Sequence, residues 1–270
     1  MATPPLLTRR LFLVDLGAAV AAVTLAACTG SSGESPTAPG ASQSPTTSSG
    51  GTPNASAPAT RSASDGSTPS DVMQWERVIG GAAAAYVLVR SGEATVVDTG
   101  FAGTAPDITT ALAALGSSWA DVSTVVLTHH HTDHVEGLGE VAELATDARL
   151  AAGAGDIEAI SAPRDLVAVG TGDRIMGLQV LETPGHTPGH ISVFDPGTGV
   201  LVAGDALNST EGGDVAGPNP AFSDDIDLAW DSAGVLADLE PSVILVGHGP
   251  PVDEDVAADL QTLVDTHASG

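Results

Sequence analysis

From residue 84 onward, short apolar runs of strand length alternate with segments of helical period. Ala84 to Arg90 predicts a strand, Ser91-Gly92-Glu93 a turn, and Ala94 to Val97 a second strand, forming a hairpin that ends at Asp98-Thr99-Gly100. Pro106 to Leu115 predicts a helix, with proline in its first turn and Gly116 beyond its end. Val122 to Leu127 then predicts a strand, Gly137 to Ala145 a helix, Arg149 to Ala152 a strand, and Val180 to Glu182 another before the turn Thr183-Pro184-Gly185. Ile191 to Phe194 and Val200 to Ala203 flank Asp195-Pro196-Gly197-Thr198-Gly199, a second hairpin, which runs into Gly204-Asp205. Helical patterning from Asp225 to Leu239 leads to a strand over Val243 to Val246, then Gly247-His248-Gly249, and a last helix from Asp253 to about Thr266. Such alternation predicts layered sheets covered by helices, in one domain over 71–270.

The pattern upstream is different. Arg9-Arg10 precede Leu11-Phe12-Leu13 and a run of small apolar residues to Ala27, the charged and apolar parts of an export signal over 1–27. The run is too short for a membrane span. Leu25-Ala26-Ala27-Cys28 resembles the bacterial lipoprotein box, which implies lipidation at Cys28 and a chain exported and anchored to the outer face of the cell membrane. Thr8 to Leu13 also resembles a twin-arginine signal, a route that carries folded proteins. Residues 29–70 are almost wholly Ser, Thr, Pro, Gly and Ala, too poor in large apolar side chains to offset the entropy of ordering, and predict a disordered tether.

Composition narrows the chemistry. The chain has 34 acidic residues against eight basic ones, all arginine, and a formal net charge of −26. That field repels polyanions and excludes nucleic acid as a partner. Cys28 is the sole cysteine, so an intramolecular disulfide and a thiolate zinc site are both excluded. Any bound metal must rest on histidine and carboxylate, which suits Zn²⁺ first, with Fe²⁺ or Mn²⁺ as alternatives.

All eight histidines lie beyond residue 128, seven of them in three short loops that each follow a strand or turn. His129-His130-His131-Thr132-Asp133-His134 has the pattern H-x-H-x-D-H. Residues i and i+2 of an extended segment point the same way, so His129 and His131 can grip one ion. A turn after His131 would swing Asp133 and His134 toward a second, with Gly137 letting the backbone bend into its helix. His186, Asp205 and His248, at other strand ends, are the remaining ligand candidates. His130 faces away from its neighbours, His190 is read as a loop support, and His267 as a surface residue.

Five ordered motifs closely resemble the metallo-β-lactamase superfamily: Val96-Val97-Asp98-Thr99-Gly100, His129 to His134, Thr183-Pro184-Gly185-His186, Ala203-Gly204-Asp205 and Gly247-His248-Gly249. The resemblance implies an α/β fold of four layers, an αββα sandwich, with two metals at one end of its sheets. It further implies His129, His131 and His186 on one ion, Asp133, His134 and His248 on the other, Asp205 bridging both, and Asp98 orienting a ligand by hydrogen bonding. The implied activity is hydrolysis by a hydroxide held between two zinc ions, with Asp133 shuttling a proton and Asp205 completing the catalytic pair of carboxylates. Among substrates, β-lactams are disfavoured, because dinuclear β-lactamases usually lack an aspartate at the Asp205 position and many use a lysine, absent here. Glutathione thioesterases carry a helical C-terminal extension, whereas 22 residues follow His248. A small-molecule ester, lactone or thioester remains the expected substrate. A single-iron sulfur dioxygenase and a non-catalytic metal-binding lipoprotein are the rival readings. Oligomeric state has no sequence signal. The segment Asn208 to Ser223, with Phe222, is the candidate loop beside the metals.

Overall fold

A computed structural model describes residues 70–270. The export signal, Cys28 and all but the last residue of the tether lie outside the described residues.

The first sheet takes its six strands in chain order: β1 (Gln74–Ile79), β2 (Ala84–Arg90), β3 (Glu93–Val97), β4 (Val122–Leu127), β5 (Arg149–Gly153) and β6 (Leu166–Val169). β1 to β3 form an antiparallel meander, and β3 to β6 are parallel. Parallel neighbours require crossovers. Helix α1 (Ala105–Ala114) supplies one; the one-turn α2 (Thr132–Val135) and α3 (Leu138–Leu144) share the next. The second sheet has the order β13-β10-β9-β8-β7, built from β7 (Arg174–Ile175), β8 (Leu178–Glu182), β9 (Ile191–Asp195), β10 (Val200–Gly204) and β13 (Val243–Val246). Helix α4 (Ile226–Ala237), N-capped by the Asp225 carboxylate on Leu228 N–H, crosses from β10 to its parallel neighbour β13. A ribbon of β11 (Asn208–Ser209) and β12 (Val215–Ala216) stands apart, and α5 (Val256–Ala268) closes the described chain.

Three apolar layers define the architecture. Ile108 and Leu112 of α1 and Leu138 and Val141 of α3 pack on Val87, Val96 and Val125 of the first sheet. Tyr86, Leu88 and Val126 meet Val180, Val193 and Val202 between the sheets. Leu201 and Ile244 pack against Ala233 and Leu236 of α4 and Leu260 of α5. Strands buried on both faces need apolar side chains on both, which is why β2 and β10 read as continuous apolar runs rather than alternating ones, while β9 also buries Ser192, bonded to the Ala203 carbonyl, and Asp195, paired with Arg90. The result is the four-layered αββα sandwich implied above.

Two polar contacts tie the sheets at opposite ends. Tyr86 Oη donates to the Val246 carbonyl at 2.8 Å, fixing the end of β13 from which His248 follows, while its ring meets Trp75 edge-on. At the far end Arg90 pairs with the buried Asp195 carboxylate.

Several elements differ from expectation. β1 and β6 are edge strands in which a single residue of each, Val78 or Val169, is buried; β1 mixes Gln74, Glu76 and Arg77 with its apolar residues, whereas β6, Leu166-Val167-Ala168-Val169, is apolar throughout but only four residues long and lies outside the predicted strands. The turn after His131 is the helical turn α2. Helix α5 begins at Val256 rather than Asp253, because Val252 exchanges both backbone hydrogen bonds with Ile244 and keeps the chain extended. Gly137 has ordinary helical geometry (φ −73°); what it requires is the absence of a Cβ, which would stand 2.4 Å from the Thr99 carbonyl oxygen.

Candidate metal centre

Every predicted ligand follows the end of a strand, or the turn after one, on the same rim of the sandwich. β4 delivers His129 and His131 and, through α2, Asp133 and His134; the turn after β8 delivers His186, β10 delivers Asp205, and β13 delivers His248. The fold brings all seven together in overlapping groups: His129 with His131 and His186, His129 with His134 and Asp205, and Asp133 with His134 and His248.

In the first group, His129 Nε2, His131 Nδ1 and His186 Nε2 lie 2.9–3.2 Å from one another. Burial holds His129 well below the usual imidazole range, lowers His131, and brings His186 down to about 4, so all three rings are neutral at pH 7. Three nitrogens, each about 2.0–2.1 Å from an ion at tetrahedral angles, would stand about 3.3 Å apart.

Asp205 sits between the groups. Its Oδ2 is 3.4 Å from His186 Nε2 and 3.2 Å from His248 Nε2, and its Oδ1 is 3.3 Å from His134 Nε2. The last pair lacks hydrogen-bond geometry, and both atoms are buried without a partner among the described residues. Burial alone would raise the Asp205 carboxyl, but His134 and His248 outweigh it and hold the group well below the carboxylate range. Burial likewise works to lower His134, yet Asp98 and Asp205 bring it up to about 10. The carboxylates that favour a proton on that ring favour any cation beside it. An unpartnered His134 Nε2 and Asp205 Oδ1, three neutral imidazoles and a shared carboxylate are together the donor set of a divalent metal site, an ion taking the place of the proton on His134, and the residues present fit that role.

The orientation of these ligands comes from groups behind them. Asp98 accepts from Thr128 N–H at 2.7 Å and Thr128 Oγ1–H at 2.8 Å, and its Oδ2 lies 2.8 Å from His134 Nδ1. His134 Nδ1–H is therefore the donor, and Nε2 faces the centre. Thr128 Oγ1, having given its proton to Asp98, accepts from His129 Nδ1–H at 3.0 Å, which leaves the His129 Nε2 lone pair facing the same way.

His190 accepts the Asp205 backbone N–H on Nε2 at 3.0 Å, so its proton is on Nδ1, pointed at Thr183 Oγ1 2.8 Å away. Its burial brings it down to about 3. It holds the backbone of Asp205 and lies outside the ligand groups. His130 also lies outside them, with its N–H on Asp156. His267 is exposed and stacks on Trp230. Arg164 caps α3 through the carbonyls of Ala142, Ala145 and Ala148 and stays away from the centre.

One residue has no counterpart among the predicted positions. Asp156, fully buried, accepts from His130 N–H (3.0 Å), Thr187 Oγ1–H (2.7 Å) and Gly189 N–H (2.7 Å), joining the loop that carries His129 and His131 to the loop that carries His186. A lone aspartate in a glycine- and alanine-rich loop has no signal in the sequence; its burial alone exposes the role. Asp156→Ala is expected to weaken divalent-metal affinity by roughly 10–100-fold, as loss of a ligand-orienting group does. Asp156→Asn, which keeps one acceptor, should recover part of it; metal titration of both variants is the measurement.

A four-layered sandwich with histidines and carboxylates converging on one rim defines a class of proteins built to hold metal between two sheets. Residues 78–159 and 147–248 match the model of the Metallo-beta-lactamase superfamily, and the chain belongs to that superfamily. A hydroxyacylglutathione hydrolase of Cereibacter sphaeroides is 34% identical over 165 residues, 58% of each chain, so this chain matches little more than half of that relative's length. The uncharacterized protein YobT of Bacillus subtilis is 31% identical over 193 residues, which cover 61% of this chain and 82% of that one. A crystal structure of a metallo-beta-lactamase family protein from Thermus thermophilus superposes with a TM-score of 0.57 at 26% identity, covering 73% of this chain and 79% of its own.

Proposed function

We propose that this chain is a divalent-metal-dependent hydrolase of small ester, lactone or thioester substrates. It holds two ions, zinc by preference, and acts outside the cell as a lipid-anchored protein. The observation that carries the reading is Asp205, whose Oδ2 lies 3.4 Å from His186 of one group and 3.2 Å from His248 of the other, with Oδ1 3.3 Å from His134. His129, His131 and His186 would hold one ion, Asp133, His134 and His248 the other, and Asp205 both. Ions bound there would supply Lewis acidity toward a substrate carbonyl and acidify water at neutral pH.

The protein's own groups do the rest. Asp133, partly exposed on the cavity wall with its Oδ2 3.4 Å from His248 Nε2, is placed to take a proton and return it to the leaving group. Asp98 and Thr128 keep His134 and His129 in the required tautomers. His248 Nδ1 donates to the Ala82 carbonyl at 3.1 Å, leaving Nε2 to the centre. The thioester option draws support from the relative named a hydroxyacylglutathione hydrolase. Export and lipidation rest on Arg9-Arg10 and Cys28.

Metal analysis of the intact chain, with assays on ester, lactone and thioester substrates before and after chelation, tests the proposal. Two divalent ions per chain and turnover lost to chelator and restored by zinc are expected. Full activity in the apo-protein would sink it, and one iron per chain with oxygen uptake on a persulfide would favour the dioxygenase reading.

A further inference from the structure

The ligand rim opens into a cavity of about 570 Å³, within the ~300–1,000 Å³ usual for small-molecule sites. Besides the proposed ligands, its walls are Ala82, Thr132, Asn208, Asn219 and Phe222. The two asparagines are oriented by the ribbon and the loop after it. Asn208 Nδ2 donates to the Gly217 carbonyl at 3.1 Å, so its carbonyl oxygen is left as an acceptor. Asn219 Oδ1 accepts from Ala221 N–H at 3.0 Å, so its amide N–H groups are left as donors. Phe222 is 67% exposed, an apolar face with nothing packed over it among the described residues.

The cavity wall thus offers a neutral donor, a neutral acceptor and an aromatic surface. Among the described residues no arginine lines it, and each is placed elsewhere. Arg77 donates to the Gly249 carbonyl, Arg90 pairs with Asp195, Arg164 caps α3, and Arg174 bonds the Gly177 carbonyl. Arg149 begins β5, at the end of the sheet away from the site. With the ions of the proposed site engaged by the reacting group, a carboxylate at the far end of the substrate arm would lose its hydration with no arginine among the described lining residues to meet it, and would approach through the field of a chain with a formal net charge of −26.

We infer that this cavity selects uncharged esters or lactones with an apolar acyl arm over anionic substrates of the same size. The inference rests on the hydrolase reading above. Phe222 receives the acyl arm, and Asn208 and Asn219 serve neutral polar atoms next to the reacting group.

The test compares 4-nitrophenyl hexanoate with mono-4-nitrophenyl adipate on the zinc-loaded intact chain; the pair shares a leaving group and differs by a terminal carboxylate. The hexanoate should be favoured in kcat/KM by about tenfold or more, with the ratio shrinking as salt is added. Asn219→Arg should cut the ratio by at least about fivefold by giving the carboxylate a partner. Phe222→Arg, at an exposed position where the core is untouched, repeats that test should the first variant not fold. An adipate ester turned over as well as the hexanoate overturns the inference while leaving the hydrolase reading intact. If neither ester is hydrolysed while a thioester is, the inference falls and the hydrolase reading stands; if no ester, lactone or thioester is turned over, both fall.

Discussion

Asp205→Ala is expected to lower kcat/KM toward a hydrolysed ester by roughly three orders of magnitude, about 4 kcal/mol of transition-state stabilisation. No other described carboxylate lies within 3.4 Å of His134, His186 and His248 together. Alanine leaves the buried His134 Nε2 with no neighbour of opposite charge on that side and removes the one group common to both ligand sets. The backbone of residue 205 stays anchored by His190, so the loss should appear in metal content and rate with the fold preserved. Asp205→Asn keeps the shape and deletes the charge, and an intermediate loss would divide the two contributions. Metal stoichiometry, far-UV circular dichroism and kcat/KM on the three proteins are the measurements. Wild-type metal content and rate in the alanine variant would refute the shared-ligand role.

Gly247→Ala is expected to cost about two orders of magnitude in rate, although Gly247 contributes no ligand. A Cβ there would stand 2.0 Å from Asp205 Oδ1 and 2.7 Å from His134 Cε1, far inside contact distance. Neither neighbour can yield cheaply, since His134 is held through Asp98 and Asp205 through its backbone. Ligand displacement of the order of 1 Å can cost about 10²-fold. The matched control is Gly139→Ala on α3, where an added methyl meets nothing within 4 Å. That control should keep full activity and gain up to about 1 kcal/mol of helix stability. Equal activities in the two variants would mean that the site tolerates the intrusion.

Much of this fold is legible in the chain because the strands that build it are buried on both faces. β2, β10 and β13 read as apolar runs and β4 and β9 as nearly so; β4, β10 and β13 run toward the rim and give way there to Thr128-His129, Gly204-Asp205 and Gly247-His248. The edge strand β1 is not legible, because solvent on most of its faces permits Gln74, Glu76 and Arg77, and β6 is an apolar run of only four residues, too short to be told from a loop. The ligands stand out as histidines at short spacing, but the groups that orient them do so less. Asp98 is readable from its motif; Thr128 links its neighbour His129 to Asp98, and His190 links Thr183 to the backbone of Asp205, pairings that spacing alone does not reveal; Asp156 is visible only in three dimensions. The loop from Asn208 to Ser223 carries cavity-wall residues, as its position suggested, while its ribbon of two-residue strands is too short to leave a pattern.

The Arg90–Asp195 pair closes the end of the sandwich opposite the ligand rim. Tyr86 ties the sheets at the rim end through the Val246 carbonyl, so a pin stands at each end and the loops between the ligands need not hold the sheets together. The rim loops are not equal in this respect: Asp156 binds the loops of His131 and His186 to each other, whereas the ribbon that carries Asn208 pairs with neither main sheet and is the segment whose length can change with least loss of sheet pairing. The scaffold is in that sense modular, and new specificities can arise on it by grafting at one end alone.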